Sequence, residues 1–115
     1  MLALVFAVLA SVAPVESPPV ITPDEAAKHV GKVVIVRGEI SQIVLSVNLT
    51  THINFGGLYP NHVFTATIFK AKQPLFEGVK ELEGKVVQVR GVVHLYRGKP
   101  EIVLEEPTQL RLADQ

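Results

Sequence analysis

Gly31-Lys32-Val33-Val34-Ile35-Val36-Arg37-Gly38 recurs as Gly84-Lys85-Val86-Val87-Gln88-Val89-Arg90-Gly91, with one of the eight positions changed. Each copy opens on a Gly-Lys turn, runs through β-branched residues and closes on Arg-Gly. β-Branched residues favour extended backbone, and a glycine inside a strand marks a bulge or a tight corner. Two bent strands of this kind, with two shorter extended runs between them, predict a small closed β-barrel. In the first copy Val34, Val36, Gly38 and Ile40 are expected to face the core, with Arg37 and Glu39 outward. Beyond Gly38 the apolar pattern moves to odd positions, Ile43, Leu45 and Val47. That change of parity requires a bulge between Gly38 and Ser41. In the second copy Val87, Val89, Gly91 and Val93 form the inward set.

The flanking sequence completes the pattern. Thr22-Pro23-Asp24-Glu25 has the form of a helix start, with a capping Thr, Pro at the first helical position and Glu three residues after the cap. A short helix with Ala26, Ala27 and Val30 inward follows and ends by Gly31. The first strand runs from about Lys32 to Val47. The second is about Thr51 to Phe55, with Ile53 and Phe55 inward and His52 and Asn54 outward. Gly56-Gly57-Leu58-Tyr59-Pro60-Asn61 is a turn-rich connection. The third strand is about His62 to Phe69, with Phe64, Ala66 and Ile68 on one face. Pro74 to Leu82 predicts a helix, with Leu75, Val79 and Leu82 at helical spacing and Gly84 at its end. The fourth strand is Lys85 to Leu95. Tyr96-Arg97-Gly98-Lys99-Pro100 is a hairpin loop, and the fifth strand is Glu101 to about Leu112. The class is all-β. The order β-β-β-α-β-β with a long bent first strand is that of the OB-fold, a five-stranded Greek-key barrel with a helix between strands three and four.

At 115 residues the chain has room for one domain. Met1 to Ala13 carries no charge and is almost wholly apolar. That is the length of a signal-peptide core, too short to span a bilayer. Residues 1–13 are therefore expected to be a signal peptide, with the mature chain beginning near Ser11 or Pro14. The expected destination is the periplasm or the outside of a bacterial cell, with no stable membrane span after processing. Residues 14–21, which hold three prolines in the six positions from Pro14 to Pro19, read as an extended linker. The barrel domain takes residues 22–112. With no cysteine there is neither a disulfide framework, nor a thiolate metal site, nor a lipidation site. The 11 basic and 11 acidic residues cancel, so the chain lacks the global basic excess usual in nucleic-acid binders. The charge is uneven, however: Lys70 to Lys99 holds seven Lys/Arg against three Glu, which leaves room for a local basic strip.

From about Ile21 to Leu112 the chain resembles bacterial OB-fold domains of the nucleic-acid-binding, tRNA-anticodon-like group. The resemblance rests on the first Gly-Lys-Val-Val copy and on Asn54-Phe55-Gly56-Gly57-Leu58-Tyr59-Pro60-Asn61. It extends to Phe64-Thr65-Ala66-Thr67-Ile68-Phe69 and to Tyr96-Arg97-Gly98-Lys99-Pro100-Glu101-Ile102-Val103-Leu104. It implies the barrel and, as its ligand, single-stranded nucleic acid.

In such barrels ligands lie across strands two and three, framed by the loops joining strands one to two and four to five. Single-stranded nucleic acid needs stacking aromatics beside a cationic groove. Tyr96, Arg97 and Lys99 at the hairpin tip are the leading candidates. Tyr59, Phe69, His52, Asn54 and Thr65 complete the expected site. Arg37 and Arg90 occupy equivalent outward positions and are expected to pair with Glu39 or Glu83 across strands. His29, His52, His62 and His94 fall on different elements, so no metal site is expected, and no cofactor motif is present. Without cysteine or a Gly-x-Ser-x-Gly motif, nucleophilic catalysis has no support. The expectation is a non-catalytic binding domain. Single-stranded nucleic acid is the first reading, and an exported module for a protein or an oligosaccharide is the second. Exposed Val33, Ile35, Val86 and Val92 imply that the N-terminal helix or another subunit covers the outer face of strands one and four.

Overall fold

The computed structural model describes residues 17–114. The expected leader and the first part of the linker lie outside these residues. Eight strands are present among those described: β1 (Val20–Ile21), β2 (Val33–Leu45), β3 (Thr51–Phe55), β4 (Phe64–Ile68), β5 (Val86–Val92), β6 (His94–Tyr96), β7 (Lys99–Val103) and β8 (Leu110–Leu112). Hydrogen-bonded neighbours run β6-β7-β4-β3-β2-β5-β8, and β1 pairs in parallel with β2. The architecture is all-β, a mixed sheet in which β4 and β7 are also parallel.

In place of the five strands expected there are eight, in an open mixed sheet whose path runs through seven with β1 added on β2. The expected fourth strand is interrupted at Val93, which splits it into β5 and β6. The expected fifth strand breaks after Val103. There Pro107–Gln109 forms a 3₁₀ turn, and the chain returns as β8 beside β5. Val20 and Ile21, at the end of the stretch read as linker, join the sheet edge, with the Pro19 carbonyl accepting from Ile35 N–H at 2.9 Å.

The two repeat copies pair with each other. In the antiparallel register of β2 and β5, Gly38 faces Val87, Val36 faces Val89 and Val34 faces Gly91. Each repeat glycine therefore lies opposite a core valine of the other copy. Val34, Val36, Val87 and Val89 are fully buried, as the period-two pattern requires. The bulge falls between Ile40 and Gln42, and Ile43 is buried beyond it. Glu83 stabilises this bend by accepting the Ile43 N–H at 2.8 Å. Phe55 and Phe64 meet at the core centre, ring centroids 5.3 Å apart.

Several expectations fail for identifiable reasons. Leu45 and Val47 are exposed rather than inward, because β2 ends at Leu45. No α-helix spans Pro74–Leu82. Two 3₁₀ segments, Lys70–Phe76 and Val79–Leu82, are split by Gly78 at φ +77°, and Phe76 rather than Leu75 turns inward. The N-terminal helix is also 3₁₀, Pro23–His29. It buries Ala26 but leaves Ala27 and Val30 exposed. Its start is capped as expected, with the Glu25 carboxylate accepting from Thr22 N–H at 3.0 Å and from the Thr22 hydroxyl at 2.7 Å. Those two bonds hold the Glu25 pKa below its ordinary value. Arg37 stands opposite Gln88, and Arg90 opposite Ile35. Neither meets Glu39 or Glu83, because Glu83 is turned to the β2 bulge. Val33, Val86 and Val92 remain exposed among the described residues, whereas Ile35 is half-buried where β1 pairs with it.

Candidate functional site

A cleft of about 610 Å³ opens where the bulged end of β2, the outer faces of β3 and β4, the 59–62 loop and the β6–β7 hairpin meet. Period-two alternation builds its floor. With Ile53, Phe55, Phe64 and Ala66 committed to the core, His52, Asn54 and Thr65 must project from the opposite face. Seven candidates from the sequence line the cleft together: His52, Asn54, Tyr59, Thr65, Tyr96, Arg97 and Lys99. Phe69 lies after β4, half exposed and away from it.

The floor carries a one-way chain of hydrogen bonds. Thr65 Oγ donates to Asn54 Oδ1 at 3.0 Å, and Asn54 Nδ2 donates to Gln42 Oε1 at 3.1 Å. The backbone N–H of Tyr59 donates to the same Gln42 oxygen at 3.0 Å. The 56–62 loop is held from the other side, with Gly57 N–H donating to Ser41 Oγ at 3.1 Å. Gly56, at φ +72°, leaves no room for a side chain, since a Cβ there would lie 2.3 Å from Val63 Cγ2. Asn-Phe-Gly-Gly is thus a device for folding this loop over the floor.

Two aromatic groups stand at the rim. Tyr59 stacks on His62, centroids 5.7 Å apart and planes 24° from parallel, and leaves 71% of its own surface exposed. Tyr96, half exposed, carries the Arg97 guanidinium 5.3 Å from its ring centroid, a cation–π contact. The hairpin turn places Arg97 at φ +51° and Gly98 at φ +80°. Asn-Gly suits such a two-residue turn, and arginine in the left-handed region is strained.

The sequence reading did not place Gln42, Pro60, His62 or Glu101 in the site, and all four line the cleft. Gln42 was legible in principle, since the bulge that turns Ile43 inward turns Gln42 outward beside Asn54. Lys99 was expected at phosphate. Its ammonium instead donates to the carbonyl of His62 at 2.9 Å and to that of Pro60. Buried Glu101 has both oxygens engaged, one taking Thr67 Oγ–H at 2.7 Å and the other 2.8 Å from His94 Nε2. Burial holds the His62 pKa below the ordinary 6.5, and the nearby Lys99 and His52 charges act in the same direction. Its Nδ1 is buried without a hydrogen-bond partner. Among the described residues no group of three or more His, Asp or Glu side chains is arranged to hold a metal, and no helix is long and apolar enough to cross a membrane.

No known protein family and no curated protein match the sequence. Solved structures do match the fold. An OBody, AM1L10, bound to hen egg-white lysozyme superposes with a TM-score of 0.55 at 18% identity, over 76% of this chain and 84% of that one. A chain described as an aspartyl-tRNA synthetase from Leishmania major Friedlin superposes with a TM-score of 0.53 at 12% identity. That match covers 86% of this chain and 21% of the synthetase. At these identities the likeness is one of fold.

Proposed function

We propose that the chain is a non-catalytic OB-type barrel that binds single-stranded nucleic acid in this cleft. The barrel reading takes β2, β3 and β4 as its first three strands, β5 with β6 as its bent fourth and β7 as its fifth. It is supported by the pairing of β2 with both β3 and β5, and of β7 with both β4 and β6.

One observation carries the ligand reading. Two exposed aromatic rings, an arginine and a floor of amide groups, drawn from four separate segments, converge on a single cleft. Base stacking contributes roughly 1–3 kcal/mol per base and tolerates any sequence. The likeness to a tRNA synthetase chain supports the same ligand class. Export through a leader at residues 1–13 belongs to this reading.

The second reading is an exported module for a protein or an oligosaccharide. It is favoured by the neighbour solved with lysozyme bound and by the neutral charge. Anisotropy titration with short labelled oligonucleotides at two salt concentrations separates the two. Phosphate contacts weaken as salt rises, and protein or sugar contacts do not show that slope.

A further inference from the structure

We infer that the cleft selects a keto base over an amino base through the outward amide nitrogen of Gln42. This rests on the nucleic-acid reading above. The sense of the Gln42 carboxamide is fixed by a group that cannot change: the backbone N–H of Tyr59 is a donor only, so the Gln42 atom 3.0 Å from it is the oxygen. The same oxygen takes Asn54 Nδ2, which turns Asn54 Oδ1 toward Thr65 and uses the Thr65 hydroxyl hydrogen. Gln42 lines the cleft, and its Nε2, with two N–H groups, has no protein partner among the described residues.

The surrounding groups reinforce that polarity. Lys99 retains one N–H beyond its two carbonyl partners, and Arg97 carries only donors. Glu101, the carboxylate lining the cleft, has Thr67 and His94 on its two oxygens. Thr65 Oγ keeps acceptor capacity but is buried. A ligand edge placed against Gln42 Nε2, Arg97 and the third Lys99 N–H meets donors. At the edge that tells the bases apart, uracil and thymine present O4 and guanine O6 to such a group, whereas cytosine and adenine present the N4 and N6 amino groups, donor against donor. A site built on hydrogen bonding discriminates strongly against the analogue that cannot make the bond.

The test compares labelled oligouridine and oligocytidine, by anisotropy, on the wild type and on Gln42→Glu. The variant keeps one oxygen for Tyr59 N–H and Asn54 Nδ2 and replaces the outward donor with an acceptor. The wild type is expected to prefer oligouridine by about tenfold, and Gln42→Glu to reverse the preference while melting at a similar temperature. On the unsubstituted protein the Gln42 side-chain ¹⁵N–¹H₂ resonances should shift with oligouridine and stay in place with oligocytidine. That measurement decides the matter if the variant does not fold. An oligouridine-to-oligocytidine ratio near one, or a resonance indifferent to both oligomers, overturns this selectivity and leaves nucleic-acid binding standing. Failure of either oligomer to bind at low salt overturns both.

Discussion

Lys99 Nζ donates to the His62 carbonyl oxygen at 2.9 Å, joining β7 to the 59–62 loop across 37 residues of sequence. A side chain that reads as a phosphate contact is therefore first a clamp that holds Tyr59 and His62 at the rim of the cleft. Charge-assisted bonds to buried acceptors are among the stronger ones. Lys99→Met is expected to lower unfolding free energy by about 1–2 kcal/mol and to change the salt slope of binding by less than one. Denaturant titration and anisotropy at several salt concentrations measure the two effects. Unchanged stability with a slope reduced by a full unit would make Lys99 a phosphate ligand instead.

Arg97 sits in the left-handed region at φ +51°, where Asn is the favoured residue before Gly98. Arg97→Asn should relax the turn and raise stability by about 0.5–1 kcal/mol. It should also weaken oligonucleotide binding and lower the salt slope by about one. A variant that gains stability and binds as well as the wild type would show that the strain serves no ligand.

Gly38 and Gly91 hold equivalent places in the repeat but are needed for different neighbours. A Cβ on Gly91 would lie 2.5 Å from Ile102 Cγ2 in the core, whereas one on Gly38 would lie 2.6 Å from the Pro23 ring. Valine at either position should cost about 1–3 kcal/mol through overpacking. Gly91 should cost more, because Ile102 is fully buried and held by the sheet. Denaturant midpoints give the order, and equal midpoints to the wild type would remove the close-approach argument.

His62 makes stability depend on pH. Burial, then Lys99 and His52, lower its folded pKa, so the unfolded chain takes the proton more readily. Its penalty is absent above the unfolded value of 6.5 and grows as pH falls below it toward the folded value. A wild-type profile alone does not isolate His62, so the comparison must be between proteins. His62→Phe keeps a ring against Tyr59 and removes the titration. Between about pH 7.5 and pH 5.5 it should lose less stability than the wild type. Parallel pH profiles for the two proteins would contradict this.

The strands were legible because alternation of apolar and polar residues is a local, period-two signal. Val34, Val36, Val87 and Val89 needed no tertiary information, and the bulge at Ser41 was visible as a parity change. The seven cleft residues followed from the same alternation and from the loop positions of a barrel. The helix over Pro74–Leu82 failed because Leu75, Val79 and Leu82 satisfy a spacing that Gly78 interrupts. The roles of Lys99 and Glu101 were not legible, because their partners Pro60, His62 and Thr67 are brought to them only by the fold.

Anisotropy titration of a labelled single-stranded oligonucleotide at low and moderate salt, with the wild type and Tyr96→Ala, tests the proposed function most directly. The expected result is saturable wild-type binding that weakens with salt, and a loss of about tenfold or more in Tyr96→Ala with its melting temperature unchanged. Absence of wild-type binding at low salt, or equal affinity in the folded variant, would contradict a nucleic-acid site in this cleft.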